Sequence, residues 1–207
     1  IVLALLQLFR WQERGGRGFP YWAVLWMSCA TLTKGPVGII LPCLVTGVFM
    51  LLRGRRFWYA VGKMAVIAVA SCVLPAVWYI AAYQQGGEEF FNLVMEENFG
   101  RFMGKMSYES HVHGMHYNFI TVLSGYVPYT LLLVMALPWA IRRLRAWQRP
   151  KHWWQSFKTY IREMDEARLF SLLSIVLIFV FYSIPKSKRS TYLLPIYPFF
   201  AYFLAEF

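Results

Sequence analysis

Between Trp58 and Tyr83 the chain runs 26 residues with a single charged side chain, Lys63. A helix needs roughly 20 apolar residues to cross the hydrocarbon core of a bilayer. Such a tract is hard to place anywhere else in a chain of 207 residues. It is not alone, because 58% of the residues are hydrophobic, 19% aromatic and only 15% charged. A soluble domain carries nearer a quarter charged residues, and too little polar sequence remains here to cover a water-facing surface. The pattern predicts an all-α, polytopic transmembrane bundle. Spans are expected at about 1–9, 19–34, 36–52, 58–83, 118–141, 169–185 and 191–207, within one membrane domain covering 1–207. The stretch "IVLALLQLF" at the start and the apolar run at the end read as cut spans, so the chain is expected to be an internal fragment of a longer membrane protein.

The charges between the spans set an orientation. The connections 10–17, 53–63 and 142–168 hold 15 Lys and Arg against four carboxylates, Glu13, Glu163, Asp165 and Glu166. The alternate connections, at 33–35, 84–117 and 184–190, hold six cations against five glutamates. The positive-inside rule counts Lys and Arg, and puts the first set in the cytoplasm. "RGRRFW" and "IRRLRAWQRPKHWW" then meet membrane-lipid headgroups. Most of the net charge of +11 is thereby topology, and a nucleic-acid partner is not expected. On the same inner side, Trp153, Trp154, Phe157, Tyr160, Ile161 and Met164 share one face of an expected amphipathic interfacial helix.

Against that background the outer side carries cations where the rule disfavours them. Lys186, Lys188 and Arg189 crowd into "IPKSKRSTYLLP", and Lys34 sits at the tight corner "TLTKGP". Snorkelling to headgroups would explain one lysine. Three cations in four residues plus Lys34 on the same side point to an anion site. The long outer connection 84–117 opens with the helix-breaking pair Gly86–Gly87. Phe91, Met95, Phe99, Phe102 and Met106 then recur at steps of three and four, the spacing of a helix lying in the interface. Glu97 and Arg101 stand four apart on that helix, as an ion pair would. His111, His113 and His116 follow. No Cys or Asp accompanies them, so hydrogen bonding to a phosphate or sugar hydroxyl is expected rather than a metal. Cys29, Cys43 and Cys72 read as small buried hydrophobes. Prolines 42, 75, 128, 138, 195 and 198 fall within spans and suit kinked helices around a cavity.

"LTKGP" (32–36), "EENFGRF" (96–102), "SHVHGMHYNF" (110–119) with "GYVP" (125–128), and "IPKSKRSTYLLP" (184–195) resemble, in order, elements of bacterial lipid-linked-sugar glycosyltransferases. The likeness is to the 4-amino-4-deoxy-L-arabinose transferases and the related dolichyl-phosphate-mannose–protein mannosyltransferases. The resemblance implies a GT-C-type fold in the bacterial inner membrane, with chemistry at the outer face on a polyprenyl-phosphate sugar donor and a lipid or protein acceptor. It implies no cofactor. Carried over, Lys34, Lys186 and Lys188 resemble basic residues near the donor phosphate. Glu97 and Arg101 match an E-x-x-x-R-F element, His111 the histidine of H-x-x-P-F-x-Y-Y, and Tyr192 the tyrosine of S-K-x-x-T-Y. Arg189 and His113 join the expected substrate contacts. The chain departs from the pattern at Gly114-Met115, Asn118 and Arg189-Ser190. Because pocket contacts set substrate choice, no particular sugar or acceptor is implied. The family's catalytic carboxylates are expected before Ile1, so no glutamate here is assigned as the base.

The expected function is thus transfer of a sugar from a polyprenyl-phosphate donor. A polyprenyl-phosphate flippase or solute transporter is the alternative. It would call for charges deep inside spans or an inverted repeat, whereas the spans here are nearly free of midplane charge. A structural scaffold would leave the outer cations without a role.

Overall fold

A computed structural model describes residues 1–100, 114, 116–127, 129–131, 135, 138, 159, 161, 163–185 and 188–206. Every regular element among them is helical. Seven α-helices follow in order: α1 Val2–Glu13, α2 Tyr21–Lys34, α3 Val37–Leu52, α4 Phe57–Met95, α5 His116–Gly125, α6 Glu166–Ser183 and α7 Tyr197–Ala205. A π-helical turn, Glu96–Gly100, extends α4, and a 3₁₀ segment, Ser190–Ile196, leads into α7. The tracts Phe57–Asn98 and Glu166–Ser183 are long and apolar enough to cross a membrane, while Val37–Leu52 and Ser190–Ala205 are shorter apolar helices.

The helix α3 lies between two apolar clusters and contributes to both. Ile39 and Met50 pack with Leu8, Met27, Met64 and Ile67 of α1, α2 and α4. Leu41, Val45 and Phe49 pack with Leu169, Phe170 and Ile178 of α6 and Ile196 at the start of α7. Rings of Phe9, Phe49 and Phe170 meet at centroid distances of 5.0 to 6.3 Å. Helix backbones approach closely where residues are small, as in membrane bundles. A Cβ on Gly38 would lie 2.5 Å from the Ala30 carbonyl carbon and the Thr31 nitrogen, so only glycine permits this α2–α3 contact. Ser28 Oγ reaches the Ser71 carbonyl at 2.8 Å, tying α2 to α4.

The outward face is as apolar as the core. Along α4, Ala60, Met64, Ile67, Ser71 and Pro75 are buried, while Val66, Val69, Val73, Val77 and Ile80 are all at least 59% exposed. A helix on a soluble core would turn a polar stripe outward. Two apolar faces on one helix are what a hydrocarbon solvent selects. One cysteine departs from expectation in the same way. Cys43 packs half-buried against the first cluster and Cys29 is half-buried, but Cys72 is exposed, because small apolar side chains cost nothing on a face turned toward lipid.

The glycine pair 86–87 acts as expected, and more sharply. Gly87 has φ 58° and ψ −146°, a conformation open essentially to glycine. The chain folds back there: Phe90 meets the rings of Trp78 and Tyr79 at 6.0 and 6.4 Å, and Phe91 meets Tyr83 at 6.5 Å. In a straight helix Trp78 and Phe90 would stand about 18 Å apart along the axis. Phe91 and Met95 are exposed and the chain continues through the π-helical turn Glu96–Gly100; the expected interfacial helix beyond Gly100 lies outside the described residues, as does most of the inner amphipathic helix. The last expected span also starts differently. Residues 190–196 form a 3₁₀ segment with Pro195 inside it, since Pro195 supplies no N–H and its ring would clash with a regular helix turn.

Contacts at the two ends of the bundle follow the alternation of the connections. At one end Arg53 Nη2 donates to the Met164 carbonyl at 2.7 Å, and Arg168 pairs with Glu206 at 3.0 Å. At the other end, about 24 Å away along α3, Lys34 Nζ lies 3.4 Å from the Thr191 carbonyl.

Candidate functional site

The site is built from three interruptions of helix. At the first, α2 stops at Lys34 because Gly35 takes φ 68° and ψ −157° and Pro36 follows. The side chain of Asn98 occupies the space where a Gly35 Cβ would be. Asn98 is held in turn by donating from Nδ2 to the Val94 carbonyl at 2.8 Å. The reversal at Gly87 is the second interruption, and it carries Glu97 and Asn98 back to the Lys34 corner. The third is the turn after α6. There Lys188, only 4% exposed, donates from Nζ to the Pro185 carbonyl at 2.7 Å. A buried ammonium is tolerable only when partnered, and this bond folds the turn that presents Arg189.

Together these elements enclose a cavity of about 720 Å³. Among the described residues its charged lining is Lys34, Glu97 and Arg189; Asn98, Thr33, Thr191, Tyr79, Tyr182 and Tyr192 add polar groups, and Leu32, Ile40 and Phe181 apolar wall. Lys34 Nζ stands 5.1 Å from the centre of the Tyr192 ring, within cation–π range. Tyr192 is stacked on Tyr182 at 5.1 Å, so its ring is held on two sides. Lys34 also borders a second cavity of about 460 Å³ lined by Trp26, Cys29, Ala30, Leu194 and Pro195 among others. Lys34 therefore lines both a chamber with charged and tyrosine side chains and a more apolar one.

Of the residues singled out from sequence, the structure brings Lys34, Glu97, Arg189 and Tyr192 to one cavity. Lys188 is not among its lining residues, and its amine serves the turn. Arg101, His111, His113 and Lys186 lie outside the described residues. Asn98, Tyr79 and Tyr182 line the cavity without having been singled out. Tyr79 carries no local signal, since only the reversal at Gly87 brings the Glu97–Asn98 turn to the same cavity. Asn118 is 2% exposed and has a structural role: it donates to the Tyr182 carbonyl and to Ser183 Oγ at 3.1 and 3.0 Å. That locks α5 to the end of α6, under Tyr182. The described residues include no group of three or more His, Cys, Asp or Glu placed to hold a metal.

A helical bundle with apolar outer faces and a cationic, tyrosine-lined cavity at one end is the class of protein that these observations define. Comparison with known proteins narrows it. An uncharacterised protein of Aquifex aeolicus is 29% identical over 209 residues, covering 98% of this chain and 36% of that protein. The undecaprenyl phosphate-alpha-4-amino-4-deoxy-L-arabinose arabinosyl transferase of Pseudomonas aeruginosa PAO1 is 27% identical over 200 residues, covering 94% of this chain and 32% of the transferase. The same enzyme from strain UCBPP-PA14 is 28% identical over 177 residues, 84% of this chain and 28% of the enzyme. The chain is distantly homologous to aminoarabinose transferases over most of its length, and spans about a third of the length of the relatives it matches. No family model and no solved structure matches it.

Proposed function

We propose that this chain forms the donor-phosphate half of a membrane glycosyltransferase site. The protein would move a sugar from a polyprenyl-phosphate donor to a lipid or protein acceptor at the outer face of the bacterial inner membrane. One observation carries the reading: Lys34 and Arg189, about 150 residues apart in sequence, line one cavity together with apolar wall from Leu32, Ile40 and Phe181. An amphiphile with an anionic head and a hydrocarbon tail matches that lining. The names of the Pseudomonas relatives support the same class of donor.

In the transfer, the bond between the anomeric carbon and the phosphate oxygen breaks as the acceptor oxygen bonds to that carbon. Negative charge accumulates on the departing polyprenyl phosphate. Lys34 and Arg189 stabilise that charge, and fixed cations in a partly desolvated cavity do so without reorganising. Tyr192 holds Lys34 through its ring face, and Glu97 with Asn98 offers acceptors for sugar hydroxyls. The acceptor's proton goes to a base outside the residues assigned here.

The test is sugar transfer by the full-length protein from a polyprenyl-phosphate donor. Lys34→Gln should reduce kcat about 100-fold or more, the scale of removing one charge-stabilising group, with insertion and expression unchanged. Arg189→Gln should act in the same direction. Normal turnover in both variants would sink the donor-phosphate role, and donor translocation without sugar release would favour a flippase.

A further inference from the structure

We propose a second ligand site at the opposite, basic end of the bundle: a cleft that holds one anionic glycerophospholipid. It rests on the membrane reading above and not on the donor assignment. The cleft is a cavity of about 430 Å³ between the α1–α2 turn and the first turns of α4. That volume falls within the roughly 300–1,000 Å³ usual for small-molecule clefts. Trp11, Phe19, Trp58 and Val66 wall it with apolar surface, and Lys63 reaches it from α4. The turn above it is built, because Trp11 Nε1 donates to the Gly18 carbonyl at 3.2 Å. The wall opens outward through Trp58 and Val66, 81% and 59% exposed.

Charge selects the occupant. The segments 11–20 and 55–67 that supply the lining carry Arg14, Arg17, Arg55, Arg56 and Lys63 against a single carboxylate, Glu13. All four arginines and Glu13 are exposed. Lys63 Nζ stands 5.7 Å from the centre of the Tyr59 ring, which orients the amine while its stem covers apolar wall. An acyl chain in the tryptophan-lined cleft with a phosphodiester at the cationic rim satisfies both halves. A zwitterionic headgroup would bring its own cation to that rim and lose the preference.

Gly62 offers a clean test. It lines the cleft, and a Cβ there meets nothing within 4 Å, so Gly62→Leu fills the space while favouring helix. The full-length protein in nanodiscs of equal phosphatidylglycerol and phosphatidylcholine, with no sugar donor present, is examined by native mass spectrometry for retained lipid. The wild type should retain one phosphatidylglycerol about tenfold in preference to phosphatidylcholine. Gly62→Leu and Lys63→Gln should each bring that ratio near one, with a melting temperature in lipid-free detergent no lower than that of the wild type. Arg168→Gln, an equal loss of charge on α6 away from the cleft, should keep the preference. Equal retention of the two lipids by the wild type would overturn the proposal. So would an undiminished preference in Gly62→Leu, which would assign the effect to diffuse surface charge.

Discussion

The two ends of the bundle carry cations in opposite ways. At the Lys34 end they converge. Lys34 and Arg189 line one chamber beside Glu97, Lys34 rests on Tyr192, and Lys188 is buried with its amine on a backbone carbonyl. At the other end Arg53 is fixed on the Met164 carbonyl, but most others spread: Arg14, Arg17, Arg55 and Arg56 are exposed, and Arg168 pairs with Glu206 while 46% exposed. The second end holds more charge, yet the proposed donor site lies at the first. Charge number orients a membrane protein and attracts lipid headgroups, whereas a reaction needs charges whose positions are set by surrounding structure before substrate arrives.

The comparison predicts unequal costs for equal changes. The largest should come from Lys34→Gln, with transfer falling about 100-fold or more, while Arg14→Gln at the spread end changes turnover less than about twofold. Similar losses from the two would erase the distinction. Next is Gly35→Ala. It forces a side chain into φ 68° and against Asn98, at about 1–3 kcal/mol for the backbone strain alone. Thermal unfolding should show a lowered Tm, and transfer should fall because Glu97 and Asn98 are displaced together. Adding Asn98→Ala should recover the collision but not the strain. A fully wild-type double variant would show that the corner conformation has no importance.

Asn118→Leu removes two hydrogen bonds beneath Tyr182 and leaves the Tyr182 carbonyl and Ser183 in an apolar place, which costs about 1–3 kcal/mol. Stability should drop with a smaller effect on turnover, and a change in turnover alone would make Asn118 a substrate contact instead. The smallest effect belongs to the spread end. Arg168→Gln breaks a half-exposed pair worth about 0–1 kcal/mol, and the loss should fade further in high salt. A larger or salt-independent loss would mean that this end is organised too.

The helix corners at 33–36 and 86–87 were legible, because each depends on neighbours in sequence. The corner 33–35 is there for Lys34, Gly35 and Pro36 to make, and Gly87 turns the chain where a glycine pair predicts it. Less legible was which cations act. Lys186, Lys188 and Arg189 look equivalent in "IPKSKRSTYLLP", yet Lys188 turns inward to Pro185 while Arg189 lines the cavity. One rotation of the backbone separates those fates, and no periodicity announces it in a turn. Cys72 misled in a related way. Apolar surroundings in sequence do not distinguish the protein interior from a lipid-facing surface, since both accept the same side chains.

By itself the sequence determined an all-helical chain with apolar outer faces and two alternating sets of connections. These properties are sums over short windows: hydropathy over a span, charge over a loop, a glycine at a bend. Only the tertiary structure decided that Lys34, Glu97, Arg189 and Tyr192 share a chamber. Lys34 and Thr191, 157 residues apart, meet at 3.4 Å because α3 packs against α6 and α4 doubles back at Gly87. Closing such long loops costs entropy that no local segment repays; the packed apolar clusters on both sides of α3 offset it, and the cavity exists only once they have formed.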